Sequence, residues 1–297
     1  MRANPDGTSV PRIARSVEKG SVPLWTWEIP AYFSIGGAAG LAAVIAFVAA
    51  AADADPSIYR AALWVAAAGA ALSPLLLISD LGRPARFLYM LRVFKRRSTM
   101  SIGAWTLVVF SLAVFTALGA DWLRETRSFA LVPAIGTVAG LVGALSGLVL
   151  ATYAGVLLGA TVVPVWARHR RHLPLHFGAS SLGAAVALVE LLAGFGPTLN
   201  MIGVAAAAVE TYLGVRHERQ RLVSDDASED RHLGNLVRLG HLCSGAIPLM
   251  LRLFATTSPP LRAVAAVSAL VGSLASRYGW LAAGRRSAIA VYETVGR

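Results

Sequence analysis

Apolar residues run through the chain in eight stretches of about 20 residues, separated by shorter polar segments. A helix of this length crosses the hydrocarbon core of a bilayer, because each helical residue advances about 1.5 Å along the axis. The pattern therefore predicts an all-α integral membrane protein with eight transmembrane helices, which we expect to form two packed bundles. The predicted spans are residues 29–51, 58–79, 101–120, 131–160, 175–194, 198–215, 237–256 and 260–281.

Composition agrees with a membrane fold. Of the 297 residues, 56% are hydrophobic and 14% charged, and the mean hydropathy is +0.61. Glycine and alanine cluster inside the spans, as in GGAAG at 36–40 and LVGALSG at 141–147, which favours close helix packing in lipid. A general bias toward small residues explains any single cluster equally well.

The distribution of positive charge predicts the orientation. With the N-terminus inside, 22 Lys and Arg residues fall on the inner side and five on the outer side. This bias predicts both termini in the cytoplasm, and it accounts for most of the net charge of +11 without a nucleic acid partner. We expect a cytoplasmic tail at 1–24, a membrane domain at 25–282 and a cytoplasmic tail at 283–297.

Two inner segments, 80–100 and 215–236, are predicted as long, polar, basic loops that bind anionic lipid head groups, dock a soluble subunit, or do both. The single cysteine, Cys243, allows neither an internal disulfide nor a four-thiolate iron–sulfur cluster. Any such cluster must belong to a partner.

The segment PLWTWEIPAYFSIGG opens the first span. Glu28 stands at the mouth of the predicted helix, and Tyr32 lies one turn deeper on the same face. Trp25 and Trp27 fit an interfacial aromatic belt. Glu28 and Tyr32 are therefore predicted to form a proton-exchanging, hydrogen-bonding lip at the inner membrane surface.

The segment SDLGRPARF ends the second span, where Gly82 and Pro84 favour a helix stop. Asp80 and Arg83 form either a simple ion pair at the helix end, which would contribute little if exposed, or part of a functional site. The residues alone leave both interpretations open. A short amphipathic helix along the interface is predicted from the spacing of Arg86, Phe87, Met90 and Leu91.

Three stretches resemble the NrfD/PsrC family, the membrane subunits of polysulfide-reductase-like complexes. The first is W-x-W-E-I-P-x-Y-x-x-x-G-G from residue 25, and the second is D-L-G-R-P-x-R-F-x-x-M-L-R-V-F-K from residue 80, followed by S-x-M-S-x-G-A-W. The third is LATYAGVLLGATVVPVW at 150–166 with LPLHFGASSLG at 173–183. The resemblance implies a haem-free, quinone-reactive subunit that pairs with an iron–sulfur electron-transfer subunit and a molybdopterin or other catalytic subunit.

Topology and resemblance together predict a site for the quinone head group, menaquinone or ubiquinone, in the inner leaflet beneath a cytoplasmic iron–sulfur subunit. Quinone reduction needs partners for two oxygens and an acid or base for two protons. The predicted quinone-binding residues, all near the inner ends of spans, are Glu28, Tyr32, Asp80, Arg83, Tyr153 and His176. The predicted proton-transfer residues are Glu28, Asp80, Glu190 and Glu210.

Several alternatives remain at this point. Glu190, in the outer half of the fifth span, either completes a proton route across the membrane or is a neutral acid hydrogen-bonded between helices. His176 and His241 also raise bis-histidine haem ligation, although no haem is expected. The leading function is a quinone-interacting anchor of an oxidoreductase complex; the alternatives are a redox-driven proton-translocating subunit, a transporter, and a structural anchor.

Overall fold

The computed structural model describes residues 25–80, 84–126, 130–224, 231–254 and 258–295, and these residues are almost entirely helical, with no strand among them. Eight helical segments are long and apolar enough to cross a membrane. The helices are α1 (Glu28–Ala51), α2 (Pro56–Asp80), α3 (Pro84–Leu91), α4 (Thr99–Thr126), α5 (Val132–Gly159), α6 (Pro164–Arg168), α7 (His172–Ala193), α8 (Pro197–Ser224), α9 (Arg231–His241), α10 (Ile247–Phe254) and α11 (Pro259–Val295).

The predicted all-α fold with eight spans is confirmed, and several helices are longer than their apolar stretches. Helix α8 continues to Ser224 and α9 begins at Arg231, so the prediction of a loop over 215–236 is wrong at both of its ends. Helix α3 confirms the short helix predicted after the second span. The last helix continues through most of the segment predicted as a C-terminal tail, as far as Val295.

The seventh span is interrupted. A π-helical turn, Leu242–Ala246, joins α9 to α10, and the backbone N–H of Ile247 bonds to the carbonyl of Leu242. Pro248 follows in the first turn of α10 and has no N–H to donate to the carbonyl four residues earlier, which favours a local change in helix geometry. Such turns change which side chains face a neighbouring helix and are frequent at functional sites.

The spans pack as two bundles that meet at α7. In the first bundle, α1 packs against α2 and α5, and α4 packs against α2 and α5. In the second, α7 packs against α8 and α11, and α11 packs against α9 and α10. Because α7 also contacts α1, α2 and α5, it joins the two bundles.

The outer surface of both bundles is apolar, as expected for helices surrounded by lipid rather than water. Small residues instead occupy much of the interior. In α1, most of the buried residues are glycine and alanine. Large apolar side chains exposed on the surface include Trp64, Leu112, Val138, Leu192, Met201 and Phe254.

The start of α1 and the end of α2 lie at one membrane face, which we call the N-terminal face. Contacts between distant parts of the chain place the ends of other spans there too. The ring of Trp25 stacks on Trp166, with 5.6 Å between centroids, and the hydroxyl of Tyr278 donates to the carbonyl of Trp27 at 3.0 Å. The alternating direction of the spans then puts the starts of α7 and α9 and the end of α8 at this same face.

A glycine pair brings α1 and α5 into backbone contact, as the small-residue clusters predicted. A Cβ on Gly147 would overlap the carbonyl oxygen of Gly40, and a Cβ on Gly40 would overlap that of Gly147. We expect Gly147→Ala to lower the stability of the detergent-solubilised protein by about 1 to 3 kcal/mol, because the two backbones must move apart. Thermal unfolding measures this.

Gly119→Ala is the matched control, since its Cβ would meet nothing within 4 Å. Alanine is the better helix former, so this control is expected to keep or slightly raise the unfolding midpoint. Equal midpoints for the two variants would contradict the proposed importance of the Gly40–Gly147 contact.

Candidate functional site

Thr26 joins two carboxyl groups at the mouth of the first bundle. Its hydroxyl contacts Glu28 Oε2 and lies 2.9 Å from Asp80 Oδ1, and its backbone N–H lies 3.4 Å from the same Asp80 oxygen. We call Thr26, Glu28 and Asp80 the Thr26 group. It connects the start of α1 to the end of α2, and both carboxyl groups are only partly buried.

The Thr26 hydroxyl carries one hydrogen, so it can donate to only one of the two carboxyl groups at a time. The other contact becomes a hydrogen bond when that second carboxyl is protonated and donates to the hydroxyl oxygen. The Thr26 hydroxyl therefore connects two carboxyl groups at the N-terminal face.

Two tyrosines lie in the interior beside this group. Tyr32 is one turn along α1 from Glu28. Its ring and the side chain of Leu150 both lie next to Gly36, and Tyr153 follows Leu150 by one turn of α5. Both are buried. The ring of Tyr153 packs against α4 at Gly103, where a Cβ would overlap the ring. Glycine at 103 therefore makes room for Tyr153.

A buried hydroxyl lies in the same region. Ser73 precedes Asp80 by two turns of α2 and so shares its face of the helix. Its side chain is fully buried, and its Oγ has no hydrogen-bond partner among the described residues. The Oγ and the ring of Tyr32 both lie next to Gly36. A ligand oxygen at this position would satisfy a hydroxyl that otherwise stays unpaired at a cost of about 1 to 3 kcal/mol.

His176, Glu210 and His241 form a second polar group, which we call the histidine triad. Nδ1 of His176 lies 2.9 and 3.0 Å from the two carboxylate oxygens of Glu210, and Nδ1 of His241 lies 3.6 Å from Oε2. Oγ of Ser244, in the π-helical turn, lies 3.2 Å from the same Oε2. All three triad residues are buried, and they come from α7, α8 and the end of α9.

More histidine rings surround the triad. The ring of His172 stacks near that of His176, with 5.8 Å between centroids, and the ring of His217 lies 5.9 Å from that of His241. His172 is the first residue of α7, and His217 lies in α8, within the segment 215–236 that was predicted as a loop. The signal was their spacing: His172 is one turn before His176, and His217 is two turns after Glu210.

The short distance between the rings of His176 and His241 argues against a haem bound between them. Their ring centroids are 4.3 Å apart, with the Glu210 carboxylate next to both rings. A haem iron holds its two axial imidazoles on opposite sides of the porphyrin plane. The observed arrangement leaves no room for that plane between the two rings.

Aromatic contacts link the two groups along the N-terminal face. Trp25, just before α1, stacks on Trp166, whose indole N–H donates to the carbonyl of Trp280 at 2.7 Å. The ring of Trp280 lies 5.1 Å from that of His217 and 6.0 Å from that of His172. The mouth of the first bundle and the histidine triad are thus parts of one packed surface layer.

Glu190 forms a third group with two arginines, toward the opposite face. Arg252 binds its carboxylate through both terminal nitrogens, at 2.9 and 2.6 Å, and Arg262 contacts Oε1. All three side chains are buried. Glu190 was predicted either to carry protons or to stay neutral between helices, and neither prediction included its arginine partners.

Neutral groups complete the surroundings of these arginines. Arg262 also donates to the carbonyl of Gly196 at 3.0 Å, and its guanidinium lies over the ring of Phe195. The amide of Asn200 donates to the carbonyl of Arg252 at 3.3 Å. Burial thus removes Arg252 and Arg262 from the outer-side cations that were counted for orientation.

Arg277 of α11 is fully buried near the junction of the bundles. Its guanidinium donates to the hydroxyls of Ser180 and Ser181 at 3.0 and 2.7 Å, to the carbonyl of Phe177, and to Ser273. Without the three buried arginines, the count along the sequence assigns 21 Lys and Arg residues to the inner side and three to the outer side. The charge bias therefore becomes stronger once buried arginines are excluded.

A cavity of about 200 Å³ lies in the first bundle, away from the Thr26 group. It is at the opposite end, between the later part of α1 and the earlier part of α5, and small apolar side chains line most of it. Tyr59, Arg124 and Thr137 are its polar members. The predicted quinone residues do not line this cavity.

The predicted site residues thus separate into groups. The structure brings Glu28, Tyr32, Asp80 and Tyr153 to the mouth and adjoining interior of the first bundle. It places His176 and Glu210 together in the second bundle, and Glu190 elsewhere with Arg252 and Arg262. Arg83 lies outside the described residues.

Comparison with known proteins assigns the family. The model of the polysulfide reductase family of NrfD type matches residues 19–292. No curated protein matches the chain significantly. The family match covers all eight spans. The chain therefore belongs to the NrfD-type polysulfide reductase family, and it is a multi-pass membrane subunit of a redox complex.

Proposed function

We propose that the chain is the quinone-interacting subunit of its complex, exchanging electrons between an iron–sulfur partner and the membrane quinone pool. The observation that carries this proposal is the Thr26 group. It places two carboxyl groups, able to share a proton, at the membrane surface beside two buried tyrosines. Quinone reduction consumes two protons, so such a group supplies what the reaction needs at the point of reaction.

The oxygen partners in this proposal come from three helices. Tyr153 of α5 donates to one quinone oxygen, and Ser73 of α2 or Tyr32 of α1 to the other. Ser73 supports this role because its buried Oγ has no hydrogen-bond partner among the described residues. Glycine at 103 lets the Tyr153 ring pack against α4, and glycine at 36 lets Ser73 Oγ and the Tyr32 ring approach α1 closely.

His176 and Glu210 lie in the second bundle, away from the proposed quinone site. They are hydrogen-bonded to each other in the second bundle, so His176 is not assigned to the quinone oxygens here. The aromatic layer from Trp25 to Trp280 connects them to the mouth of the first bundle. Protons consumed at the mouth would come from the partly exposed Thr26 group at the N-terminal face.

In this proposal, the distribution of positive charge gives the orientation of the chain in the membrane and the face on which its partner subunits dock. The count along the sequence assigns 21 of the cations outside the buried arginine groups to the side of the N-terminal face, which supports a cytoplasmic location for this face and for both termini. An iron–sulfur subunit docking there would place its cluster close to the Thr26 group. A molybdopterin or other catalytic subunit would complete the electron path.

The test uses the complex purified through a tag on this chain. We expect an iron–sulfur protein to co-purify, and we expect Tyr153→Phe to slow electron transfer to a water-soluble quinone about tenfold or more, because one hydrogen bond to a reacting oxygen is lost. Steady-state rates with quinone and a donor for the partner measure this.

Tyr212→Phe is the matched control, because Tyr212 of α8 is exposed on the outer surface of the second bundle. Its rate is expected to equal that of the wild type. Purification without any redox partner, or a wild-type rate for Tyr153→Phe, would contradict the proposal.

A further inference from the structure

We propose that His176, Glu210 and His241 form a binding site for one divalent transition-metal ion of the zinc type. The three residues each offer one ligand atom, and these atoms all lie within 4.8 Å of one another. Two imidazoles and a carboxylate are a donor set that binds Zn²⁺ in proteins. This inference does not depend on the proposed quinone site, which lies in the other bundle.

The distances are close to those a metal needs. Bonds of about 2.0 to 2.2 Å in a tetrahedron keep neighbouring ligand atoms about 3.3 Å apart. In the triad, Oε2 of Glu210 is 2.9 Å from Nδ1 of His176 and 3.6 Å from Nδ1 of His241. Small side-chain rotations would therefore bring all three atoms around one ion.

Unpaired ring nitrogens point to a missing partner. Both nitrogens of His241 lack a hydrogen bond among the described residues, as does Nε2 of His176. His241 is 7% exposed, so water at the surface does not satisfy it. A neutral imidazole always has one N–H donor and one acceptor, and leaving them unpaired in a buried site is costly. A metal ion would use one His241 nitrogen directly.

The local backbone is built to place His241 against Glu210. His241 is the last residue of α9 before the π-helical turn, and its Cβ lies next to α8 at Gly214, where another Cβ would be crowded. Gly245 in the same turn likewise lets the backbone approach Thr211 of α8. Glycine on both helices thus holds the seventh span close to the sixth at the level of Glu210.

Other neighbouring groups complete the environment. Ser244 Oγ, 3.2 Å from Glu210 Oε2, is positioned to bind a fourth ligand such as water. Nε2 of His172 is buried and also lacks a hydrogen-bond partner among the described residues. The ion would cross-link α7, α8 and α9, which are three separate spans, at the N-terminal face.

Metal content provides the first test. The full chain, with any bound partners, is purified through a tag without histidines and analysed by mass spectrometry for metals. We expect close to one zinc per chain in the wild type, and background levels in His176→Ala, Glu210→Gln and His241→Ala. Glu218→Gln is the matched control, because Glu218 is two turns farther along α8 in an ion pair with Arg238.

A second measurement tests the site even if the alanine and glutamine variants fail to fold. Wild-type protein stripped with chelator is titrated with Co²⁺, and His241→Cys is treated in parallel. We expect the visible bands of tetrahedral cobalt in both, with a thiolate-to-cobalt charge-transfer band added in His241→Cys. A rise of the unfolding midpoint on adding one equivalent of Zn²⁺ should accompany binding.

Two results would overturn the inference. One is wild-type protein with background metal content and no response to Zn²⁺ or Co²⁺, which would make the triad a hydrogen-bonded group without an ion. The other is an equal metal content in the triad variants and in Glu218→Gln, which would show adventitious binding elsewhere.

Discussion

Glu190→Gln is expected to destabilise the folded protein by about 3 to 5 kcal/mol, because it leaves two buried guanidinium groups without their carboxylate. Arg252 and Arg262 both bind Glu190, and all three side chains are almost completely buried. A glutamine oxygen can accept hydrogen bonds but cannot balance the charge. Unfolding of the detergent-solubilised protein, followed by circular dichroism with heat or denaturant, measures the loss.

Glu218→Gln is the control for this prediction. Glu218 also pairs with an arginine, Arg238, but the pair is partly exposed to solvent. Exposed ion pairs contribute about 0 to 1 kcal/mol, so this variant should unfold close to the wild type. Equal losses for both variants would refute the importance of the buried group.

A triple variant distinguishes the charges from the packing. Glu190→Met combined with Arg252→Met and Arg262→Met removes all three charged groups together while keeping much of their volume. Replacing a whole buried ion group by apolar residues often costs little, so the triple variant should be more stable than Glu190→Gln alone. A triple variant that is less stable would assign the stabilisation to packing rather than to charge.

Glu190→Gln also tests the alternative of proton translocation. Arginines bind both carboxylate oxygens of Glu190, which favours a structural role for this side chain over proton transfer. We therefore expect proton uptake by sealed vesicles, divided by electrons transferred, to be unchanged in the variant protein that folds. A loss of uptake at constant electron transfer would support a proton route through Glu190.

Asp80→Asn is expected to reduce quinone-linked turnover about 100-fold or more, in the range typical of a lost acid–base group. Asparagine still accepts the hydrogen bond of Thr26 but cannot take up a proton, so the fold should persist while proton delivery fails. The rate of quinone reduction or quinol oxidation by the purified complex measures the effect. Assembly is checked by co-purification of the partner subunits.

The Thr26 group makes a further prediction about Glu28. If Glu28 and Asp80 share one proton through the Thr26 hydroxyl, removing either carboxyl disables the same function. The double variant Glu28→Gln with Asp80→Asn should then be only slightly slower than Asp80→Asn. If the fold-loss in turnover of the double variant equals the product of the two single losses, the two carboxyl groups act independently.

Asp55→Asn is the control for Asp80→Asn, because Asp55 caps the other end of the same helix. Its Oδ1 accepts the backbone N–H of Ser57 at 2.8 Å, and that hydrogen bond lowers the pKa of Asp55. Its contribution to α2 is therefore present above its unfolded pKa and lost as the pH falls through the folded pKa. Asparagine caps helices as well as aspartate, so turnover near neutral pH should be unchanged.

Much of the fold could be predicted from the sequence because lipid leaves few choices for an apolar chain. Backbone groups in hydrocarbon must be bonded internally, so eight apolar stretches become eight helices. The glycines in GGAAG and LVGALSG also indicated the close contact that Gly40 and Gly147 make. Helix length was harder to predict, since polar residues extend α8 and α11 beyond the apolar stretches.

The candidate site was predicted less completely, and the reason is that side-chain partners from distant spans are not encoded in local spacing. The position of Glu28 and Asp80 at the same face followed from topology, but the hydroxyl of Thr26 that joins them did not. The partners of Glu190 are two arginines more than 60 residues away, which had been counted only as outer-side cations. Ser73 carried no signal, because serine is common inside membrane helices.

The sequence by itself determined that this chain is an eight-span helical membrane protein of the NrfD type with a strongly basic face, because hydropathy, charge bias and motifs are properties of order along the chain. The tertiary structure decided which polar residues meet, in the Thr26 group, in the histidine triad, and between Glu190 and its two arginines. These contacts form where α1 meets α2, and where α7 meets α8, the seventh span and α11, so they depend on packing between helices.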